Sequence, residues 1–248
     1  MNERVIVVIP ARYGSSRFPG KPLAPILGKP MVQYVYEAAA AAKGVDRILV
    51  ATDDKRILEA VEGFGGEAML TSADCRSGSD RVAEAAQAIE GEFFINLQGD
   101  EPLMDPAAIE EVISLLRTTP QAIATLRRPL QSEDEYHNPN CVKVLCNHQG
   151  FALYFSRATI PFDRDGVGFE GIKKLVSVHV GIYGYHRRVL ERFVGLPQGG
   201  LERCESLEQL RALEYGIPIR VATTSYVSVG VDTPEDIEKV EALLRRGE

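Results

Sequence analysis

A continuous apolar run from Val5 to Ile9 stops at Pro10 and gives way to a loop carrying Arg12, Gly14, Ser15, Ser16, Arg17, Gly20 and Lys21. Five consecutive apolar residues without alternation predict a strand buried on both faces, as in a parallel sheet covered by helices. The loop behind it gathers three cations and flexible backbone where the strand leaves the core. Cations offset the charge of a triphosphate, and glycine lets backbone N–H groups approach its oxygens. The segment is not a Walker loop, because Lys21 is followed by Pro22, and it is not G-x-G-x-x-G. A solvated surface loop is the competing reading, and three cations with Gly and Ser directly behind a buried strand weigh against it.

The strand-then-polar-loop pattern recurs. Arg47 to Ala51 ends in Thr52-Asp53-Asp54, and Phe93 to Leu97 runs into Gln98-Gly99-Asp100-Glu101-Pro102. Ala68 to Leu70 and Ile123 to Leu126 are shorter strands. Helical spacing lies between them: Met31 to Lys43 after Pro30 and closed by Gly44, Ile57 to Phe64 stopped by Gly65 and Gly66, Val82 to Ile89 capped by Ser79, and Pro106 to Leu116. This β–α–β alternation predicts an α/β fold, a parallel sheet with helices on both faces. Ligands in such sheets bind beyond the carboxyl ends of the strands, where the polar loops fall.

From about Val142 the rhythm changes. Val142 to Leu145 and Ala152 to Phe155 flank Asn147–Gly150 as a hairpin, and Val178 to Tyr185 is a further strand. Arg157 to Lys174 is rich in Gly, Asp and Pro and reads as a loop or lid. Glu202 to Tyr215 reads as one helix, Ile219 to Val221 as a short strand, and Thr233-Pro234 starts a last helix to about Arg245. We expect one domain over 1–248, with a smaller lobe or mixed-sheet extension over about 142–215; 248 residues are enough to bury a full core.

A net charge of −7 argues against general nucleic-acid binding and sets the basic opening loop apart. Cys75, Cys141, Cys146 and Cys204 form no C-x-x-C pair and fit reduced thiols of a cytoplasmic protein rather than a zinc site. The first strand begins within a few residues of Met1, so no signal peptide is expected, and no apolar run has membrane-spanning length.

Two acidic residues lie at loops that can meet across a cleft. Asp100 follows a buried strand, and Asp232 sits in Val229-Gly230-Val231-Asp232-Thr233-Pro234 before a helix. Carboxylates on separate strand-end loops suit Mg²⁺, which takes few protein ligands and adds substrate phosphates. Asp232 alone would read as an ordinary helix-start residue; beside the other loops the metal reading is stronger.

Taken in order, the motifs are Pro10-Ala11-Arg12-Tyr13-Gly14-Ser15-Ser16-Arg17 with Gly20-Lys21-Pro22-Leu23, Ser77-Gly78-Ser79-Asp80-Arg81, Gln98-Gly99-Asp100-Glu101-Pro102, Ala152-Leu153-Tyr154-Phe155-Ser156-Arg157, His179-Val180-Gly181-Ile182-Tyr183-Gly184-Tyr185, Leu207-Glu208-Gln209-Leu210-Arg211 and Gly230-Val231-Asp232-Thr233-Pro234-Glu235-Asp236. This series resembles the 3-deoxy-manno-octulosonate (KDO) cytidylyltransferases, the CMP-KDO synthetases of lipopolysaccharide assembly, over nearly the whole chain. The resemblance implies a three-layer, Rossmann-like nucleotidyltransferase fold with a mostly parallel mixed sheet. It implies CTP and KDO as substrates, Mg²⁺ as cofactor, a cytoplasmic homodimer, and neither nucleic-acid nor membrane partners.

By the same resemblance, Arg12 and Lys21 contact the triphosphate, with Ser15 and Arg17 beside them. Ser77, Gly78 and Arg81 lie by the nucleotide, and Gln98 lies at the nucleotide–sugar junction. Asp100 and Asp232 match the metal-binding aspartates. Arg157, His179, Tyr183, Glu205 and Gln209 fall on the sugar-acid side. The anomeric hydroxyl would attack the α-phosphorus and release pyrophosphate, with catalysis carried by Lys21, Arg12, Asp100, Asp232 and the metal. No side chain stands out as general base, so the expectation is a metal-lowered pKa of the attacking hydroxyl.

The chain departs from the family pattern at Ser79 and Asp80, where Thr and Glu are common, at Cys75-Arg76, and at Arg203-Cys204, where His or Gln followed by Ile is frequent. The last departure bears on which sugar acid is taken, and 8-amino-KDO or sialic acid are the alternatives. Without the resemblance His179 would read as a strand histidine with a satisfied hydrogen bond. A nucleotide-binding regulator would have lost Lys21, Asp100 or Asp232, and all three are present. A scaffold would need no basic pocket on an acidic chain.

Overall fold

Alternate side chains of the first strand point to two different cores. The computed structural model describes residues 3–14 and 18–247. Its strands are β1 (Val5–Ala11), β2 (Pro25–Ile26), β3 (Lys29–Pro30), β4 (Arg47–Thr52), β5 (Ala68–Leu70), β6 (Phe93–Asn96), β7 (Ile123–Pro129), β8 (Lys143–Cys146), β9 (Ala152–Ser156), β10 (Val176–His186) and β11 (Ile219–Thr223). Its helices are α1 (Met31–Ala41), α2 (Lys55–Gly63), α3 (Gly78–Ala88), α4 (Pro106–Thr118), α5 (Glu133–His137), α6 (Gly168–Ile172), α7 (Arg187–Val194), α8 (Gly200–Glu205), α9 (Gln209–Glu214) and α10 (Pro234–Gly247).

Val5, Val7 and Ile9 pack with Val35 of α1, Ile57 of α2 and Ile109 and Val112 of α4. Ile6 and Val8 pack on the opposite face with Val82 of α3, Leu190 and Phe193 of α7 and Leu210 of α9. Burial on both faces is why the run is apolar without alternation.

The sheet order is β11-β7-β10-β6-β1-β4-β5. β1 runs parallel to β4 and β6, β4 to β5, and β11 to β7. β10 alone in this row is antiparallel to its neighbours β6 and β7. The β8–β9 hairpin adds on to the first half of β10, pairing Val176 with Leu145. The section 142–215 therefore shares the central sheet through β10. The fold is α/β with a mostly parallel mixed sheet between two helical layers, as expected.

Differences from the sequence reading have local causes. β1 continues through Pro10 to Ala11. The Val8 carbonyl receives the Leu97 amide at 3.0 Å, so even-numbered residues of β1 face β6. β6 ends at Asn96, opposite Val8, and the missing N–H of Pro10 falls beyond it. The cap of α3 is Ser77, not Ser79: its hydroxyl accepts the Asp80 amide, and the Asp80 carboxylate returns to the Ser77 amide. Ser79 is buried instead.

The single helix expected over 202–215 is two, broken at Ser206, whose φ of 52° lies in the left-handed region. The buried Glu202 carboxylate accepts Arg211 Nε at 2.7 Å and Nη2 at 2.6 Å across that break. The expected 157–174 loop contains α6. α7 begins directly at the end of β10 with no Gly or Pro to announce it, and its buried face is Leu190 and Phe193.

Candidate active site

A cleft of about 270 Å³ opens at the carboxyl ends of β1 and β6. One wall is Pro10, Ala11 and Arg12, with Lys21 and Pro22; another is Cys75 to Gly78 with Arg81; the floor is Gln98 to Asp100, and Asp232 closes the side. Eight residues named from sequence thus meet in one place: Arg12, Lys21, Ser77, Gly78, Arg81, Gln98, Asp100 and Asp232. Ser15 and Arg17 lie outside the described residues.

Lys21 organises the acidic side. It sits in a single 3₁₀ turn, Lys21–Leu23, behind Gly20. Gly20 has φ 74°, and a Cβ there would stand 3.0 Å from the Tyr13 ring, so both conformation and space call for glycine. Lys21 Nζ donates to Asp100 Oδ2 at 2.6 Å and to the Val231 carbonyl at 2.8 Å, and lies 3.7 Å from Asp232 Oδ1. Gly99 lets the Asp100 loop pass close to β1, since a Cβ there would lie 3.0 Å from the Pro10 carbonyl oxygen. The two aspartates, 132 positions apart by number, converge on one ammonium.

Arg81 lines the cleft with its guanidinium engaged. It donates to Asp53 Oδ2 at 3.0 Å and to the Thr71 hydroxyl, bracing α3 against the loops after β4 and β5. Arg12 is exposed at the rim.

A polar chain runs from the cleft floor along the sheet. Gln98 Nε2 donates to Asn96 Oδ1 at 3.2 Å, and Ser79 Oγ meets Tyr185 Oη at 3.2 Å. Ser77 Oγ donates to Glu208 Oε1 at 2.7 Å and Ser79 Oγ to Glu208 Oε2 at 3.1 Å. Burial raises the Glu208 carboxyl above its ordinary value, against these two donors. Glu208 belongs to the Leu207–Arg211 motif, for which the resemblance implies a role for Gln209 and none for Glu208. A carboxylate at a predicted helix interior gave no sign that the helix breaks before it. Cys75 and Arg76, noted only as departures, also line the cleft.

The expected sugar-side residues do not line this cleft. They form a neighbouring group toward β8, β9 and β10. His179 and Tyr183 flank a register shift in β10, their rings 5.4 Å apart, and His179 Nε2 is 3.0 Å from Thr125 Oγ1. Burial lowers His179 to about 3, so its ring is neutral near neutral pH. Burial and the Glu208 charge raise the Tyr183 phenol. Glu205 Oε1 accepts Ser156 Oγ at 2.6 Å and its Oε2 the Arg157 amide at 2.9 Å, while Arg157 Nε donates to the Glu205 carbonyl at 2.8 Å. Arg157 and Glu205 thus pin the end of β9 to the end of α8. Gln209 is buried on α9.

Among the described residues, no three His, Cys, Asp or Glu side chains gather as a protein cage for a metal. The donor set present is two converging carboxylates, Asp100 and Asp232. That set fits Mg²⁺, which retains water and takes substrate phosphates beside one or two carboxylates.

A mostly parallel sheet with a cationic, aspartate-bearing cleft at its strand ends places a ligand site where α/β folds bind ligands, and the comparisons make the protein a nucleotidyltransferase. The family model described as cytidylyltransferase matches residues 6–222. A 3-deoxy-manno-octulosonate cytidylyltransferase of Thermodesulfovibrio yellowstonii is 51% identical, over 96% of this chain and 97% of its own. An 8-amino-3,8-dideoxy-manno-octulosonate cytidylyltransferase of Shewanella oneidensis is 52% identical, over 97% of this chain and 98% of its own. The solved structure of a CMP:2-keto-3-deoxy-manno-octonic acid synthetase complexed with CTP superposes with a TM-score of 0.92 at 45% identity, covering 99% of this chain and 100% of that one. The chain belongs to the cytidylyltransferase family.

Proposed function

We propose that this chain transfers CMP from CTP to the anomeric hydroxyl of KDO, giving CMP-KDO and pyrophosphate for lipopolysaccharide assembly. The observation that carries the reading is Lys21 held between Asp100 and Asp232 at the mouth of the cleft. The match to a CTP-complexed synthetase over the full chain supports CTP as the nucleotide.

In this reading Arg12 and Lys21 hold the triphosphate, and Ser77 and Gly78 form the wall beside the nucleoside. Asp100 and Asp232 are the residues that would hold Mg²⁺, which when bound offsets phosphate charge and favours the ionised form of the attacking hydroxyl. The sugar oxygen forms a bond to the α-phosphorus while the bond to the β-phosphate bridging oxygen breaks, and pyrophosphate departs. Negative charge on the phosphoryl oxygens resists an anionic sugar acid, and Lys21 reduces that repulsion. Gln98 stands where nucleotide and sugar would meet. His179, Tyr183, Gln209, Arg157 and Glu205 lie on the side from which the sugar acid would approach.

A cytoplasmic homodimer belongs to the same reading. No helix among the described residues is long and apolar enough to cross a membrane. Leu153, Phe162, Val167 and Leu175, on the section 142–215, are exposed large apolar side chains of the kind a self-contact covers.

A second reading keeps the reaction and changes the acid to 8-amino-KDO. Relatives carrying that name match as well as those named for KDO. Pyrophosphate release with CTP and Mg²⁺, measured separately with KDO, 8-amino-KDO and sialic acid, decides between them. Release with KDO supports the first reading, and release with another acid alone moves the substrate. No release with any of the three contradicts the reaction itself.

A further inference from the structure

The loop after β6 carries two adjacent carboxylates that face different partners. Asp100 meets Lys21, whereas Glu101 turns toward the stretch between β11 and α10. The β11–β7 ladder ends with the Thr224 amide on the Arg127 carbonyl, and residues 225–232 beyond it form neither helix nor strand. Glu101 Oε2 accepts Tyr226 Oη at 2.9 Å, and its Oε1 accepts the Ser228 hydroxyl. The Val231 amide then donates to the Asp100 carbonyl at 2.9 Å, and Lys21 Nζ reaches the Val231 carbonyl at 2.8 Å. The Val231 side chain is buried with Ile26, Met31 and Val240. Asp232 follows immediately. The stretch that delivers one site aspartate is therefore fastened, donor by donor, to the loop that delivers the other.

We propose that Glu101 is a positioning residue that sets the separation of Asp232 from Asp100, and so how well the pair takes a divalent cation together with a nucleoside triphosphate. The cation-binding half of this proposal rests on the function proposed above. Glu101 touches neither Lys21 nor the cleft lining; it acts through residues 226–231. Both its oxygens are used by hydroxyl donors, and alanine, which has neither oxygen, removes both contacts at once.

The test compares Glu101→Ala, the double variant Tyr226→Phe/Ser228→Ala, and the triple variant. Calorimetric CTP binding is followed over a range of Mg²⁺ concentration without sugar acid, and hydrogen exchange is read at the Tyr226 and Val231 amides, both of which are hydrogen-bonded. The expected result for Glu101→Ala is a Mg²⁺ requirement raised about tenfold or more, the usual effect of losing a group that orients a ligand. CTP affinity without Mg²⁺ stays within about twofold, because the cation-independent contacts are not touched. The two amides exchange faster while those of β1 and β6 do not. The double variant behaves alike, and the triple variant is no worse than either, as one shared network requires.

Unchanged exchange at Tyr226 and Val231 in Glu101→Ala overturns the proposal, as do fully additive effects. So does an equal loss of CTP affinity with and without Mg²⁺. Wild-type protein that binds CTP without regard to Mg²⁺ overturns the cation-binding claim, and the exchange data then still decide whether Glu101 holds the stretch.

Discussion

Ser77 Oγ donates to Glu208 Oε1 at 2.7 Å, joining the cleft wall at the start of α3 to the turn between α8 and α9. Ser77 lines the cleft, and Glu208 lies beside the residues expected to face the sugar acid. Burial raises the Glu208 carboxyl, so the folded protein holds its proton more tightly than the unfolded chain does. Ionising it costs stability progressively as pH rises above the ordinary carboxylate range, and the cost is complete above the folded-state value. Glu208→Gln lacks that cost. Relative to this variant, wild-type Tm should fall as pH goes from about 4 to about 7. A wild-type advantage that grows with pH contradicts the assignment.

His179 carries the opposite dependence. Its value falls from 6.5 to about 3 in the folded protein through burial. The unfolded chain binds a proton that the folded chain refuses, so the stability is complete above 6.5 and drains away as pH falls through the interval down to about 3. The slope for one group is at most about 1.4 kcal/mol per pH unit. His179→Gln should flatten the acid limb of the wild-type stability curve, read by denaturant midpoint at stepped pH. An unchanged limb would mean that the ring titrates normally. Because the imidazole is neutral near pH 7, it offers Thr125 a neutral hydrogen-bond partner rather than a charge.

The break between α8 and α9 depends on a buried ion pair. Glu202 and Arg211 are both under a tenth exposed, and the carboxylate takes two hydrogen bonds from the guanidinium. Removing one partner leaves a buried charge alone, which costs about 3–5 kcal/mol. Glu202→Ala should lower stability by that order, measured by urea unfolding. It should also weaken sugar-acid binding more than CTP binding, since the same turn presents Glu208 and Gln209. A variant as stable as wild type contradicts the role given to the pair.

The sheet was legible wherever burial on both faces left a run without alternation, as in Val5–Ile9 and Phe93–Leu97. The polar loops after those strands located the cleft, because chain direction alone places them at one edge. Less legible were features set by contacts between distant segments. Nothing local in Glu202–Tyr215 marks the left-handed Ser206, which follows from Glu202 reaching Arg211 and Glu208 reaching Ser77. Ser79 resembled a cap because Ser77 and Ser79 both precede the apolar pattern, and only the Asp80 carboxylate returning to the Ser77 amide separates them. Strand-end position pointed to Asp100 and Asp232 and motif resemblance matched them, while the fastening of their loops through Glu101, Tyr226 and Ser228 joins residues more than 120 positions apart.

In the proposed reaction Lys21 binds the triphosphate as well as aiding transfer. Asp232 is the member of the Lys21, Asp100 and Asp232 group whose contribution, at saturating Mg²⁺, falls on transfer more than on CTP affinity. The direct measurement is Asp232→Asn, with pyrophosphate release under saturating CTP, KDO and Mg²⁺ set beside CTP affinity in the same buffer. We predict that turnover falls about 10²–10³-fold, the effect of removing one electrostatic contact made in the transition state, while CTP affinity changes by less than about threefold. Equal losses in turnover and affinity would contradict it, and would make Asp232 a residue of nucleotide binding alone.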